Sequence, residues 1–193
     1  NTLKTMEMAL KASGEYLDFT ASIQSVKDAK AEMQEQKTAI INTWADLSRN
    51  ITAAIASGEI KGELKSYLEE FYLDPNIEVQ DKILRVTKKY SELVAQARKG
   101  GAYGKAKYGA DADVLGDIVE RGTNKTVSDF VTATEELASA ESTYATAVDD
   151  LKKRIHDTVT MFITDAEEVA EAEKMLLSAL GLEKSDSTGG NGG

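Results

Sequence analysis

The residues best suited to chemistry in this chain are basic and aromatic. Lys88, Lys89, Arg98, Lys99, Lys105 and Lys107 lie close in sequence, with Tyr90, Tyr103 and Tyr108 interleaved. Ammonium groups attract anions, and a tyrosine offers both an apolar ring and a hydroxyl. Lys99, Tyr103, Lys105, Lys107 and Tyr108 are therefore the candidate ligand contacts, for an anionic ligand or a glycan. A plainer explanation competes with this. Arg98 and Lys99 suit the negative end of a helix dipole, and the remaining lysines suit a soluble loop.

Other constellations fall short of a site. His156 is the only histidine, and there is no cysteine, so thiolate chemistry and disulfides are excluded and a zinc site is not expected. His156 is expected at the surface or at the edge of a bundle. Asp111, Asp113 and Gly116 begin like a calcium loop, but Leu115 and Gly122 occupy positions where oxygen ligands are needed. The stretch GGAYGK at 100–105 has the wrong spacing for a phosphate loop. Ala106 stands where a hydroxyl is required, and no strand precedes it. Nothing resembles a serine–histidine–carboxylate arrangement, so neither enzymatic activity nor a cofactor is expected. Two glycosylation sequons occur, Asn50-Ile51-Thr52 and Asn124-Lys125-Thr126. Asn124 falls in an expected loop and is the better acceptor. Asn50 falls inside an expected helix.

Composition sets the frame for these residues. The 193 residues carry a formal net charge of −10, which repels a phosphate backbone and argues against nucleic-acid binding. A single proline and 6% aromatic residues favour long helices over a sheet sandwich. No run of about 18 apolar residues is present to span a bilayer.

The longest element is expected at residues 126–181. Phe130, Thr134, Leu137, Glu141, Tyr144, Val148, Leu151, Ile155, Thr158, Phe162, Asp165, Val169, Ala172 and Leu176 recur in steps of 4 and 3. That period draws one seam along a helix. A second row, Ala138, Ala145, Val159, Ile163, Ala166, Ala170 and Leu177, is expected to widen the buried face. Such a helix would run roughly 80 Å at about 1.5 Å per residue. Residues 2–57 predict a comparable first helix. Its seam runs through Phe19, Ile23, Val26, Lys30, Met33, Lys37, Ile40, Trp44, Leu47, Ile51 and Ala54. An earlier seam, Leu3, Met6, Leu10 and Leu17, meets it out of phase beside Gly14.

Between these two lie shorter elements. Ile60, Leu64, Tyr67, Leu68 and Phe71 outline a short helix closed by Asp74-Pro75. Val79, Ile83, Val86, Tyr90, Leu93 or Val94, and Ala97 outline a third segment, stopped by Gly100-Gly101. GGAYGKAKYG at 100–109 predicts a loop, after which Asp111 caps a short helix that ends near Gly122. The expected fold is all-α: an elongated three-helix bundle with two long antiparallel helices. A small head is expected from about 58–75 and 100–126. Residues 1–182 form the bundle, and 183–193 a flexible polar tail.

This outline resembles the surface coat proteins of African trypanosomes. The resemblance is carried by Ala/Glu-rich helices (Glu135 to Glu141 and Glu167 to Glu173), by the absence of cysteine, and by the small-residue tail at 185–193. Within that group the chain is most similar to the glutamic acid/alanine-rich proteins. Variant surface glycoproteins and the haptoglobin–haemoglobin receptor share the outline but usually carry disulfides. The resemblance implies a structural, densely packed coat on the cell surface. It implies a glycosylphosphatidylinositol anchor at the outer leaflet of the plasma membrane instead of a transmembrane helix, with copies of the chain as its partners. The alternative within the same group is a receptor or adhesin that binds a host or vector ligand through its head.

Overall fold

The computed structural model describes residues 16–182, with side chains from Thr20 onward. Among the described residues six helices follow in order: α1 (Tyr16–Ala56), α2 (Gly62–Glu69), α3 (Val79–Lys99), α4 (Gly101–Glu120), α5 (Val127–Phe162) and α6 (Ala166–Ala179). No strand occurs among the described residues, and the chain is all-α. The seam at Leu3, Met6 and Leu10, its meeting with the next seam near Gly14, and the polar tail lie outside the described residues.

Contacts group the chain into two compact units. The first, Met33–Ala140, holds the larger core. Ile40, Trp44, Leu47, Ile51 and Ala54 of α1 are buried with Leu64 and Leu68 of α2, Ile83, Val86 and Leu93 of α3, and Leu115, Ile118 and Val119 of α4. Phe130 and Leu137 of α5 complete it. These are the positions that the heptad spacing assigns to the inner face, because only that spacing keeps one stripe of a helix away from water. Lys37 is the exception. It falls in the seam register yet is exposed.

The element ends follow local chemistry. Beyond α1, Gly58 adopts φ +80°, which lets the Ile60 N–H reach back to the Ala54 carbonyl at 3.1 Å. Between α2 and α3 the Asp74 carboxylate accepts the Asn76 N–H at 2.9 Å across Pro75. The start of α5 is capped reciprocally. The Asp129 carboxylate accepts the Thr126 N–H at 2.8 Å, and the Asp129 N–H donates to the Thr126 hydroxyl at 3.3 Å.

The second unit has its own core. Ile23 and Val26 of α1 pack with Val148, Leu151, Ile155 and Val159 of α5, with Val169 of α6, and with Leu182. One expectation is corrected here. The helix expected at 126–181 is interrupted at 163–165, and Phe162 and Asp165, assigned to its seam, are both exposed. The cause is local. Thr158, Val159, Thr160, Ile163 and Thr164 are β-branched, and the Thr160 hydroxyl donates to the carbonyls of His156 and Asp157, which loosens the helix ahead of the break. Asp165 then takes an extended conformation as N-cap, followed by Glu167 and Glu168 in the first turn of α6. His156 of α5 meets Glu173 of α6, so α6 folds back along α5. The second row is also narrower than expected: Val159 is buried, but Ala138, Ala145, Ala166 and Ala170 are exposed.

Candidate functional site

The glycine-rich stretch at 100–109 is helical from Gly101 onward, which corrects the loop expected there. Gly100 ends α3, Gly101 turns with φ +59°, and α4 begins at once. Asp111 is therefore inside a 20-residue helix and does not cap a short one. The glycines serve close packing more than looping. A Cβ on Gly104 would stand 2.5 Å from the Gln96 carbonyl oxygen and 3.1 Å from that of Ala97. A Cβ on Gly116 would stand 2.7 Å from the Tyr90 ring. Hydrogen atoms in place of side chains let α3 and α4 pair at short range, and the contact outweighs the poor helix propensity of glycine.

That pairing aligns two rows of side chains. Lys89, Leu93 and Gln96 recur at i, i+4 and i+7 on α3. Gly104, Lys107, Tyr108 and Asp111 recur at i, i+3, i+4 and i+7 on α4. Together with Lys61 and Glu63 at the start of α2, all of these but Gly104 line a groove of about 400 Å³. The Lys89 ammonium lies 4.8 Å from the Tyr67 ring centroid, and that of Lys107 lies 5.3 Å from the Tyr108 ring and 5.9 Å from the Tyr103 ring. Its hydrogen bond to Tyr108, with Tyr103 nearby, holds Lys107 above the ordinary lysine pKa. Burial, then the nearby Glu92, pushes the Tyr67 hydroxyl up. Among the described residues, none of Lys61, Lys89 and Lys107 has a carboxylate within ion-pair distance.

No family model, curated protein or solved structure matches this chain. The structure brings Tyr103, Lys107 and Tyr108 together and sets the other two apart. Tyr103 is 70% exposed, whereas Tyr108 is half-buried against the core. Lys105 and Lys99 are exposed and do not line the groove. The polar groove residues that sequence reasoning missed are Lys61, Glu63 and Gln96. Gln96 has a local signal in its seven-residue spacing from Lys89. Lys61 has none, because it arrives from another element.

The two sequons also separate. Asn124 is exposed between α4 and α5. Asn50 is half-buried, and its side-chain amide nitrogen donates to the carbonyls of Arg121 at 3.0 Å and Ile118 at 3.4 Å. The atom that a glycan would need is thus engaged in holding the end of α4. The same end is tied by Arg121, whose guanidinium reaches Glu59 Oε1 at 2.5 Å and Oε2 at 3.2 Å and also meets Asp117. The hydrogen bonds to Glu59 and then Asp117 raise the Arg121 pKa further.

Elsewhere, Lys82 is buried beneath the turn after α2. Its ammonium donates to the Tyr72 carbonyl at 3.3 Å and lies 5.7 Å from the Trp44 ring. Those partners explain it as a structural lysine. A wider groove of about 890 Å³ in the second unit is lined by short hydroxyl side chains such as Ser25, Ser142 and Thr146. Its Lys153 and Arg154 alternate with Asp150 and Asp157, so charge of one sign does not converge there.

Proposed function

We propose that this chain is a structural cell-surface protein without enzymatic activity, held to the outer leaflet by a lipid anchor and packed among copies of itself. One observation supports the reading above the others. The Ala/Glu-rich stretches that carry the family resemblance face outward: Glu135, Glu136, Ala138 and Ser139 of α5 are exposed, as are Glu167, Glu168, Ala170 and Glu171 of α6. Such faces are small and acidic, and they suit a hydrated layer in which neighbours approach closely without fusing. No described helix is long and apolar enough to cross a membrane, which is compatible with a lipid anchor. We infer an elongated three-helix bundle with a head as the finer architecture, which small-angle scattering tests.

The decisive test is on intact cells that make the native protein. Surface labelling should reach it, and a phosphatidylinositol-specific phospholipase should release it. Retention after that treatment would overturn the anchor, and failure to label would overturn the coat. A second reading, ligand binding by a surface receptor, is favoured by the groove between α2, α3 and α4.

A further inference from the structure

We propose that the groove between α2, α3 and α4 binds the phosphate or sulfate group of a small anionic sugar, an assignment that rests on the second reading above. Lys61 from just ahead of α2, Lys89 from α3 and Lys107 from α4 line one concavity of about 400 Å³. Three lysines against two carboxylates, Glu63 and Asp111, leave the groove lining with a small positive excess on a chain of net charge −10, and among the described residues no lysine of the three has a carboxylate within ion-pair distance. That contrast selects small anions. A polyanion long enough to overlie the surrounding acidic faces would be repelled, whereas one ester group needs only the groove itself.

The other lining residues point to what carries the ester. Glu63 and Asp111 accept hydrogen bonds, Gln96 both donates and accepts, and Tyr108 presents a half-buried ring. Donors for an anion beside acceptors for hydroxyls, with an aromatic edge, match a phosphorylated or sulfated sugar better than a bare ion. Lysines make point-charge contacts and accommodate a tetrahedral ester of either kind.

The test is a titration of the full chain by amide NMR with glucose 6-phosphate, glucose 6-sulfate, glucose and inorganic phosphate. Both esters should shift amides at 61–64, 89–96 and 104–111, and glucose alone should not. Inorganic phosphate should bind more weakly than the sugar ester, since it leaves Glu63 and Asp111 without hydroxyls. A difference between the two esters identifies which anion is preferred. The variant carrying Lys61→Gln, Lys89→Gln and Lys107→Gln should raise the dissociation constant at least about tenfold. Lys99→Gln with Lys105→Gln, outside the groove, should change it less than about twofold. If the triple variant proves unstable, the salt dependence of the wild-type affinity replaces it, and affinity should fall as salt rises. Shifts caused equally by glucose would overturn the anionic assignment and leave ligand binding standing. No shift from any probe, equal binding by the triple variant, or salt-independent affinity would overturn the proposal.

Discussion

Gly104 and Gly109 belong to the same helix and should respond oppositely to alanine. At Gly109 the nearest atom to an added Cβ is Lys105 Cγ at 3.5 Å, an ordinary contact. Gly109→Ala should therefore stabilise by about 0.5–1 kcal/mol through helix propensity. At Gly104 the added carbon meets two backbone carbonyls of α3, and backbone cannot rotate away as a side chain can. Overpacking of about 1–3 kcal/mol then exceeds the propensity gain, so Gly104→Ala should be a net loss. Urea unfolding of both variants checks the pair, and a stabilised Gly104→Ala would mean that α3 and α4 are not closely paired. A second residue-scale expectation concerns acid. Hydrogen bonds from Thr126 hold the Asp129 carboxyl below its ordinary 3.8. Its contribution is therefore present above the unfolded value and lost as pH falls through the lower folded one. Asp129→Asn should lower the urea midpoint at about neutral pH, and the difference should shrink as pH falls below the ordinary carboxylate range.

At the scale of elements, the interruption between α5 and α6 separates residues that the heptad treats alike. Leu151 and Phe162 share the seam register, yet Leu151 is fully buried and Phe162 is 40% exposed. Leu151→Ala should cost about 2–5 kcal/mol, by lost burial and the cavity left behind. Phe162→Ala should cost less than about 1 kcal/mol. Similar losses in chemical denaturation would indicate a continuous helix through 163–165. The break was legible after the fact in the β-branched run and the Asp165-to-Glu168 spacing. The period alone hid it, because a sustained seven-residue pattern reads the same across a short interruption that restores phase. At 100–109 the reverse holds: glycine content suggests a loop, and packing against α3 produces a helix.

For the whole molecule, two units with separate cores predict separable protection. Native-state hydrogen exchange should show Leu151→Ala lowering protection across 144–159 more than across 83–93, and Leu64→Ala doing the reverse. Equal loss in both regions for either variant would show that the cores open as one.

The sequence by itself determined the helical class, the inner faces and most of the stops. Val26, Ile40, Leu47, Ile51, Leu137, Leu151 and Ile155 are buried where their spacing placed them. These are properties of a single helix, set by its 3.6-residue geometry and by local chemistry at Gly58, Pro75 and Gly100. Only the tertiary structure decided that the Asn50 amide is occupied by the end of α4, that Gly104 serves helix pairing, and that Lys61 meets Lys89 and Lys107 at one groove. Each of those depends on a partner far along the chain, and no spacing within one helix specifies which other helix will lie beside it.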